Sequence, residues 1–458
     1  MNLVKLLKKR LPALPYFIGN QVAKYPYRWR PAIGRIYAQR QQELALFTKF
    51  SSEQKREFVF ERVKEIAVHA FESVPFYNQY YQEHGFHPSA LSDFDSISQI
   101  PIVSKKDLIA FDIENRSSKD SGNRILANTG GSTGSPLNFY IQTDSYGHEK
   151  SHMNHVWRKL GYSQSDSILT FSGRSKSKFP VQYDGLRHAF LVDIYQPFPV
   201  VAQAIERLFK TKKMPRFLHG YPSAIHDFLA QTEKEMPHLA EQLNDHVAGT
   251  FFGSEFPNPQ WRKQIESITG APTVSWYGHT ERCVLAYEAK EPFAYYPMQT
   301  YGFTESIASS TSEQLVGTNY YNFASPFIRY NTEDGIQVEK QTEGILESFK
   351  IVDGRVGEYV LDQNNKKISL TGLIYGRHHR LFDYCRSVQL SQIKPGHAKV
   401  FYCLLPNAEI GYDPAELFDS ANVDIEFTFQ ACDEPIRTAA GKIGLLIKPA
   451  GPVNGERC

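Results

Sequence analysis

The chain has few cysteines and no paired cysteine spacing. Its five cysteines are scattered over 458 residues, and none belongs to a C-x-x-C pair. An odd number of isolated cysteines argues against a disulfide framework, and the missing pairs argue against a structural zinc site. This usage favours a reducing compartment, so we expect the protein to be cytoplasmic.

Long apolar runs are also missing. No segment reaches the roughly 18 apolar residues that a membrane-spanning helix needs. Near the N-terminus, basic residues interrupt a leucine-rich stretch and make it a poor secretory signal. Two interpretations stay open there: a short helix packed on the domain, or a basic amphipathic helix in weak contact with an anionic inner-membrane surface. We favour the packed helix, because prolines follow closely. The residues concerned are Lys5, Lys8, Lys9, Arg10, Pro12 and Pro15.

The chain carries almost no net charge, with 51 Lys and Arg against 49 Asp and Glu, a formal charge of +2. Proteins that bind DNA or RNA usually show a clear basic excess, so we expect no nucleic-acid partner. Hydrophobic residues make up 41% of the chain, which is typical of a globular protein, and the length allows more than one domain.

A loop rich in glycine and hydroxyl groups lies at residues 126–136 (LANTGGSTGSP). Glycines let backbone N–H groups approach phosphate oxygens, and hydroxyls add donors. The loop lacks the Gly-Lys-Ser/Thr of a Walker motif and the spacing of a dinucleotide fingerprint. Because residues 139–141 read as a strand, we expect a hairpin-like turn, which is either ordinary or a polyphosphate cradle. The candidate residues are Thr129, Gly130, Gly131, Ser132, Thr133 and Gly134.

Other segments place polar groups directly after aromatic, strand-like runs. Residues 251–255 (FFGSE) and 276–281 (WYGHTE) each pass through a glycine to a carboxylate. In open α/β sheets, ligands bind where such strands end. Three more segments follow along the chain, at 325–335 (SPFIRYNTEDG), 353–359 (DGRVGEY) and 436–442 (IRTAAGK).

In this order, the segments resemble those of the adenylate-forming superfamily, which activates carboxylates with ATP. The likeness is to the phenylacetate–CoA ligase group, in particular its branch in capsular and surface-polysaccharide biosynthesis. Residues 277–281 match the family's Y-G-x-T-E segment, residues 330–334 match Y-x-T-G-D, and Gly354-Arg355 matches the G-R segment before the hinge. Residues 368–371 and 375–379 resemble the C-terminal domain of that branch, so the resemblance covers nearly the whole chain.

The resemblance implies a phosphate and magnesium site. Residues 132–134 would hold the β- and γ-phosphates of ATP, Thr280 would contact the α-phosphate, and Glu281 would bind Mg²⁺. Lys442 would bridge the carboxylate and the α-phosphate during adenylation. This attack brings two anions together, and Mg²⁺ and the ammonium of Lys442 would offset the repulsion. Taken alone, Glu281 could be a surface carboxylate and Lys442 a solvated lysine.

The resemblance also implies sites for the nucleoside and the acyl group. Asp334 would bind both ribose hydroxyls, with Arg355 close by, although Arg355 could equally be a salt-bridge partner. We expect His219 and His279 to be packing residues rather than acids or bases. Residues bordering the adenine, with Tyr277 stacked on it, would be Gly253, Ser254, Glu255, Tyr277 and Gly278. Residues lining the acyl pocket would be Tyr221, Trp276 and His279.

Three positions depart from the family pattern. Glu333 stands where Y-x-T-G-D has glycine, and it would obstruct nucleotide binding only if it points inward. Gly357 stands where an aspartate usually marks the hinge, but glycine tolerates large dihedral changes, so hinge motion remains possible. The loop ends Ser135-Pro136-Leu137, without the lysine of many relatives.

We expect an α/β fold with a large layered N-terminal adenylation domain at 1–355 and a small, mobile α+β C-terminal lid domain at 356–458. Residues 1–120 should be helical and 121–355 layered α/β. The expected elements include a helix at 51–72, a cap at 101–107, a helix at 144–160 and a strand–helix–strand unit at 253–275. In relatives, the lid rotates between the two reaction steps.

The expected function is ATP- and Mg²⁺-dependent activation of a small-molecule carboxylic acid. Acyl-adenylate and pyrophosphate form first, and the acyl group then passes to CoA, to another thiol or to an amine, in surface-polysaccharide assembly. Two alternatives stay open. One is adenylyl transfer to a coenzyme hydroxyl, and the other is a degenerate scaffold or binding protein, which Glu333 and Gly357 would suggest.

Overall fold

The computed structural model describes residues 10–119, 122–129, 137–173, 179–308, 313–352, 359–375, 377, 379–405, 408–436 and 445–447. Its helices are α1 (Tyr16–Lys24), α2 (Gly34–Phe47), α3 (Ser52–Ser73), α4 (Pro75–Glu83), α5 (Lys105–Ile109), α6 (Ser145–Arg158), α7 (Phe198–Lys210), α8 (Pro222–Glu235), α9 (Pro237–His246), α10 (Pro259–Thr269) and α11 (Pro414–Leu417). Short 3₁₀ helices lie at Leu11–Ala13, Tyr27–Trp29, Pro88–Ala90, Asp95–Gln99 and Arg380–Asp383, and a π-helical turn lies at Thr371–Tyr375.

The strands are β1 (Arg124–Asn128), β2 (Asn138–Gln142), β3 (Ile168–Ser172), β4 (Val181–Asp184), β5 (Ala189–Asp193), β6 (Phe217–Gly220), β7 (Gly249–Phe252), β8 (Thr273–Gly278), β9 (Leu285–Tyr287), β10 (Tyr296–Pro297), β11 (Gly302–Ala308), β12 (Glu313–Asn319), β13 (Tyr330–Thr342), β14 (Ile345–Ile351), β15 (Tyr359–Leu361), β16 (Lys367–Ser369), β17 (Cys385–Lys394), β18 (His397–Leu404), β19 (Glu426–Ala431) and β20 (Leu446–Ile447).

Helices and turns dominate the described part of the first 120 residues, as predicted. Helix α3 starts at a capping box, in which Ser51 Oγ accepts from the Gln54 amide at 3.2 Å and the Gln54 side chain accepts from the Ser51 amide at 3.0 Å. Ser104 and Asp107 cap α5 in the same way, which confirms the predicted cap. These reciprocal bonds satisfy N–H groups that lack partners within the helix.

An eight-stranded sheet forms the centre of the layered region, in the order β10-β9-β8-β7-β6-β3-β5-β4. Strands β5, β3, β6, β7 and β8 run parallel within it. Their residues are largely buried and apolar, as a parallel sheet covered on both faces requires. Helix α10 between β7 and β8 confirms the predicted strand–helix–strand order, although β7 ends at Phe252, before the predicted start at 253. Gly270 ends the helix in the left-handed conformation. The carboxyl ends of the parallel strands therefore meet at one edge.

A second, antiparallel sheet follows in the order β11-β12-β13-β14, and β1 and β2 form a separate hairpin. Arg329 joins the second sheet to the helical region. Its guanidinium bonds both oxygens of Glu305 at 2.8 and 2.9 Å and donates to the carbonyls of Ser98 and Ile100. Since this side chain is only 8% exposed, the contact fixes the two layers against each other.

A buried ion pair ties α10 to the loop after β9. Arg262 donates to both Glu288 oxygens at 2.7 and 2.8 Å, and the amides of Ser275 and Phe293 donate to the same carboxylate. Both charged side chains are at most 6% exposed. Both oxygens of Glu288 are therefore hydrogen-bonded, which offsets part of the cost of burying the pair.

The C-terminal region contains the β15–β16 hairpin and a sheet in the order β19-β18-β17-β20. Leu370, Leu381, Val388 and Val400 lie in a common apolar core. The predicted α/β class and small α+β C-terminal region are confirmed, and the predicted strand at 400–404 lies within β18. The predicted domain boundary at 355/356 lies outside the described residues, so it stays a prediction.

Two boundary details differ from expectation. The predicted helix at 144–160 is shorter, because α6 spans Ser145–Arg158. Asp144 occupies the N-cap, but its side chain makes no capping hydrogen bond, since its backbone is already helical. Among the described helices, none combines the length and apolar character needed to span a membrane.

Candidate active site

The site lies where the parallel strands of the large sheet end. Tyr221 follows β6, the Gly253-Ser254-Glu255 segment follows β7, and the His279-Thr280-Glu281 segment follows β8. These strands are neighbours, so the segments share one edge of the sheet. The Gly253 amide donates to the Gly220 carbonyl at 3.2 Å, which holds two of these strand ends together. The structure places these segments at strand ends, as the sequence predicts, and their role in ligand binding stays a prediction.

Glu281 is a buried carboxylate held in its charged form. Its Oε2 accepts from His279 Nδ1 at 3.1 Å and its Oε1 accepts from the Tyr330 hydroxyl at 3.3 Å. Burial raises the pKa of Glu281, but the hydrogen bond from His279 and the positive charges of His279 and Lys105 reverse this and hold the pKa at about 2. The carboxylate is therefore ionised at neutral pH although the residue is only 8% exposed.

Lys105 is a charged contributor that the motifs did not identify. It is half-buried at the first position of α5, and its charge lowers the pKa of Glu281. The sequence predicts only a helix cap at residues 101–107, and the structure confirms that cap. Lys105 and Glu281 are more than 170 positions apart in the chain, and no local spacing pattern encodes this electrostatic interaction.

Tyr277 and Asp334 are brought together from different segments. The Tyr277 hydroxyl donates to Asp334 Oδ2 at 2.5 Å, and both residues are half-buried. The Tyr277 ring also packs edge-on against Phe349 of β14. The predicted ribose-binding and adenine-stacking residues thus lie side by side, and the Tyr277 phenol holds one oxygen of Asp334.

Glu333, the departure beside Asp334, is exposed and adopts a left-handed backbone with φ of +62°. Its amide donates to Asn331 Oδ1 at 2.8 Å. Only glycine takes this conformation without steric strain, which explains why the family motif has glycine here. Because Glu333 is exposed, the structure favours the interpretation in which its carboxylate points to solvent and does not obstruct nucleotide binding.

Thr129 closes the neck of the predicted phosphate loop. Its amide donates to the Leu137 carbonyl at 3.0 Å, and its hydroxyl accepts from the Leu137 amide at 2.9 Å. Strands β1 and β2 pair on either side, so the predicted hairpin-like turn is confirmed. Several predicted site residues lie outside the described residues, namely Gly130, Gly131, Ser132, Thr133, Gly134, Arg355 and Lys442, as does Gly357.

Glu255 links the strand ends of the large sheet to the C-terminal region. Its Oε2 accepts from the Ser223 amide at the start of α8, and its Oε1 accepts from Ser369 Oγ of β16, both at 3.2 Å. The residue is 6% exposed, whereas Ser254 before it is exposed with φ of +69°. The carboxylate predicted to border the adenine therefore also binds the C-terminal region.

Two glycines allow a further close approach of the C-terminal region. A Cβ atom added to Gly173, just after β3, would lie 2.2 Å from Cα of Gly372. A Cβ atom added to Gly372 would lie 2.8 Å from the Tyr195 hydroxyl and 3.3 Å from the ring of Tyr221. Tyr221, a predicted acyl-pocket residue, is thus buried where the two chain regions meet.

Trp276 and His279 occupy different surroundings from Tyr221. Trp276 packs with Val274 against the α6 side of the sheet, while Tyr277 takes the opposite face because side chains alternate along a strand. A Cβ atom at Gly253 would lie 2.9 Å from the indole, so only glycine fits there.

His279 Nε2 is buried without a protein partner in the described chain. Thr280 is exposed.

A cavity of about 590 Å³ separates α7 and α8 from the β15–β16 hairpin. Its walls include Tyr195, Ser223, Trp261, Lys366 and Ser369. This volume falls within the range of small-molecule sites. The cavity adjoins the strand-end segments, since Ser223 and Ser369 are the residues that bind Glu255.

No protein-family model matches the chain. A curated relative, Protein CapK of Staphylococcus aureus, is 22% identical over 263 residues, which are 54% of this chain and 55% of CapK. The chain thus spans about half the length of the curated relative that it matches.

Two solved structures of 2-hydroxyisobutyryl-CoA ligase share the fold. The ligase with 2-HIB-AMP and CoA in the thioesterification state has a TM-score of 0.54, at 16% identity over 87% of this chain and 90% of the ligase. The postadenylation state with R3-HIB-AMP has a TM-score of 0.52, at the same identity and coverage. The chain therefore has the fold of an acyl-CoA ligase, as the motifs predicted.

Proposed function

We propose that this protein activates a small carboxylic acid with ATP, releasing pyrophosphate, and passes the acyl group from the adenylate to CoA. The observation that carries the proposal is Glu281, a buried carboxylate that stays ionised where the parallel strands end, beside the paired Tyr277 and Asp334. A buried charge is costly unless it is paired or serves a bound cation or ligand, and this paired carboxylate lies at the strand ends where α/β sheets bind ligands. The shared fold with a ligase in complex with 2-HIB-AMP and CoA supports the same reaction class.

The residues at this position fit a bound Mg²⁺. Mg²⁺ is held by one or two carboxylates together with substrate phosphates, so the single ionised carboxylate of Glu281 suffices on the protein side. When bound, Mg²⁺ would neutralise charge on the phosphate oxygens. His279 and Tyr330 orient the carboxylate, and Lys105 adds a positive charge nearby.

The remaining residues take complementary roles in the proposal. Asp334 binds the ribose hydroxyls, with Tyr277 holding its carboxylate in place, and the exposed Thr280 hydroxyl contacts the α-phosphate. We assign His279 to contact with the acyl substrate, because its Nε2 is buried and has no partner among the described residues. Lys442, Arg355 and the 130–134 loop keep the roles that the sequence resemblance implies.

The proposal extends to the acyl acceptor and to the biological process. We place the acceptor in the cavity beside Tyr195 and Ser369, where the C-terminal region faces the strand ends. The sequence resemblance supports residues 356–458 as a mobile lid and a role in surface-polysaccharide assembly. An amine acceptor is the alternative to CoA that fits such a role.

The decisive experiment measures pyrophosphate release with ATP and Mg²⁺ across aryl, fatty, hydroxy and amino acids. Hydroxylamine is added to trap the adenylate, and CoA is added to detect a thioester. Glu281→Gln should lower the rate about 100- to 1,000-fold, the effect typical of removing one charge-stabilising group. The matched control is Glu61→Gln, which alters an exposed carboxylate of α3 and should leave the rate unchanged.

Other outcomes assign a different function. A stable product that retains AMP without an acid would favour adenylyl transfer to a coenzyme hydroxyl. Failure to bind ATP in calorimetry, with an intact fold, would favour a binding protein. Equal rates for wild type and Glu281→Gln would contradict the role given to this carboxylate.

A further inference from the structure

The first residues of the chain have a charge balance unlike the rest. Residues 1–42 contain nine Lys and Arg and no Asp or Glu, and Glu43 is the first acidic residue. Since the whole chain has a net charge of +2, the residues after 42 carry a net charge of −7. Segregated charge of this kind produces a local attraction to anionic surfaces that the overall charge conceals.

Helix α1 presents an apolar face that is exposed in the described part of the chain. Its opposite face packs on the edge of the large sheet: Tyr16 lies against Tyr183 and Phe190, and a Cβ atom at Gly19 would collide with Tyr183. Phe17 is 70% exposed and Ile18 is 39% exposed. Helix α1 thus packs on the sheet through Tyr16 and Gly19. Its large apolar side chains Phe17 and Ile18 are exposed to solvent.

Two more aromatic residues extend this surface past the end of α1. Tyr25 is 49% exposed and Trp29 is 56% exposed, and their rings lie 5.9 Å apart. The Arg30 guanidinium fixes the connection, because it donates to the carbonyls of Val22, Ala23 and Tyr25. The aromatic pair is therefore held on a rigid support.

Positive charges surround these aromatic residues. Lys24, Arg28 and Arg35 are exposed, and the Arg28 guanidinium lies 4.7 Å from the Trp29 ring centroid. The start of α2, where Arg35 lies, approaches the Arg28 carbonyl closely. We call Phe17, Ile18, Lys24, Tyr25, Arg28, Trp29 and Arg35 the N-terminal patch.

We propose that the N-terminal patch binds the surface of an anionic phospholipid membrane. Tryptophan and tyrosine favour the headgroup region, where an apolar ring and a polar edge are both satisfied. Lysine and arginine beside them are attracted to acidic headgroups. Apolar insertion and charge attraction together give stable binding where either alone is marginal. The complementary charge selects an anionic membrane as the occupant.

The test is co-sedimentation of the full chain with vesicles of phosphatidylcholine, with and without phosphatidylglycerol. Binding should require phosphatidylglycerol and weaken with added salt. Arg28→Glu/Arg35→Glu should weaken it about 30-fold or more, since each basic residue contributes roughly fivefold and reversal adds repulsion. Phe17→Ser/Trp29→Ser should weaken it about tenfold or more.

Controls separate the patch from general changes in charge and hydrophobicity. Lys234→Glu/Lys263→Glu alters net charge equally at exposed positions on α8 and α10, and Ile393→Ser removes an apolar side chain that is 89% exposed. Both should bind vesicles like wild type. Melting temperatures of all variants establish that they are folded.

Tryptophan fluorescence gives a second readout. Emission should shift to the blue with anionic vesicles, and the shift should disappear in Trp29→Phe. No binding to phosphatidylglycerol vesicles would overturn the proposal. So would unchanged binding in both patch variants, or binding that is lost only when residues 2–9 are deleted.

Discussion

Gly173→Ala should drive the C-terminal region away from the strand ends of the large sheet. The new Cβ atom would lie 2.2 Å from Cα, 2.3 Å from O and 2.5 Å from the carbonyl carbon of Gly372. All three are backbone atoms, so a side-chain rotation cannot relieve the steric clash. The two backbones must separate by more than an ångström, and overpacking of this kind costs about 1–3 kcal/mol.

That cost applies only while the two regions are docked. It corresponds to about a 5- to 150-fold loss in the population of the docked arrangement. If the proposed lid alternates between two positions, the half-reaction that uses the docked arrangement should slow by this factor, and the other should keep its rate. Pyrophosphate exchange reports adenylation, and thioester formation from a prepared acyl-adenylate reports transfer.

Gly411→Ala is the matched control, because a Cβ atom at Gly411 meets nothing within 4 Å. Gly372→Ala should have a smaller effect, since its nearest neighbour is the Tyr195 hydroxyl, the end of a side chain. Hydrogen exchange of the 371–375 amides measures undocking without any substrate. Wild-type exchange and wild-type rates in Gly173→Ala would refute the reasoning, as would equal slowing of both half-reactions at an unchanged melting temperature.

Three further predictions concern stability, each measured by chemical denaturation. Glu333→Gly should raise the free energy of unfolding by about 1 kcal/mol, since it relieves a left-handed backbone at an exposed position; a loss of stability would contradict this. Arg262→Met should lower the free energy of unfolding by about 3–5 kcal/mol, because Glu288 is left buried and unpaired. The control Arg216→Met removes the exposed partner of an ion pair and should lower it by at most about 1 kcal/mol. Burial lowers the pKa of His152 to about 3, so it stays neutral in the folded protein while the unfolded chain protonates near the ordinary histidine pKa of 6.5. His152 should therefore contribute a loss of roughly 1.4 kcal/mol in the free energy of unfolding per pH unit below that value, and His152→Gln should reduce the measured slope by this amount.

The local features of the fold could be read from sequence because each depends on neighbouring residues. The capping boxes at Ser51 and Ser104, the left-handed Gly270 and the hairpin around the glycine-rich loop all depend on spacings of a few positions. The convergence of segments 253–255 and 279–281 followed from the rule that parallel strands end at one edge.

Contacts between distant segments could not be predicted in this way. The approach of Lys105 to Glu281 and the bond between Glu255 and Ser369 join positions more than 100 residues apart. Nothing in the sequence near either partner specifies the other. The N-terminal patch is a different case. Its excess of basic residues is visible in the sequence, but the exposure of Phe17 and Trp29 depends on which face of α1 packs on the sheet.

Glu255 has a consequence for how ligand binding and domain position depend on each other. One carboxylate binds both α8, through the Ser223 amide, and the C-terminal region, through Ser369. The sequence resemblance implies that the same carboxylate borders the adenine. A nucleotide that competes for the oxygen held by Ser369 loosens the C-terminal region, and docking of that region must weaken the nucleotide by the same factor, because such coupling is reciprocal. Product release and domain rearrangement would then be coupled through this side chain.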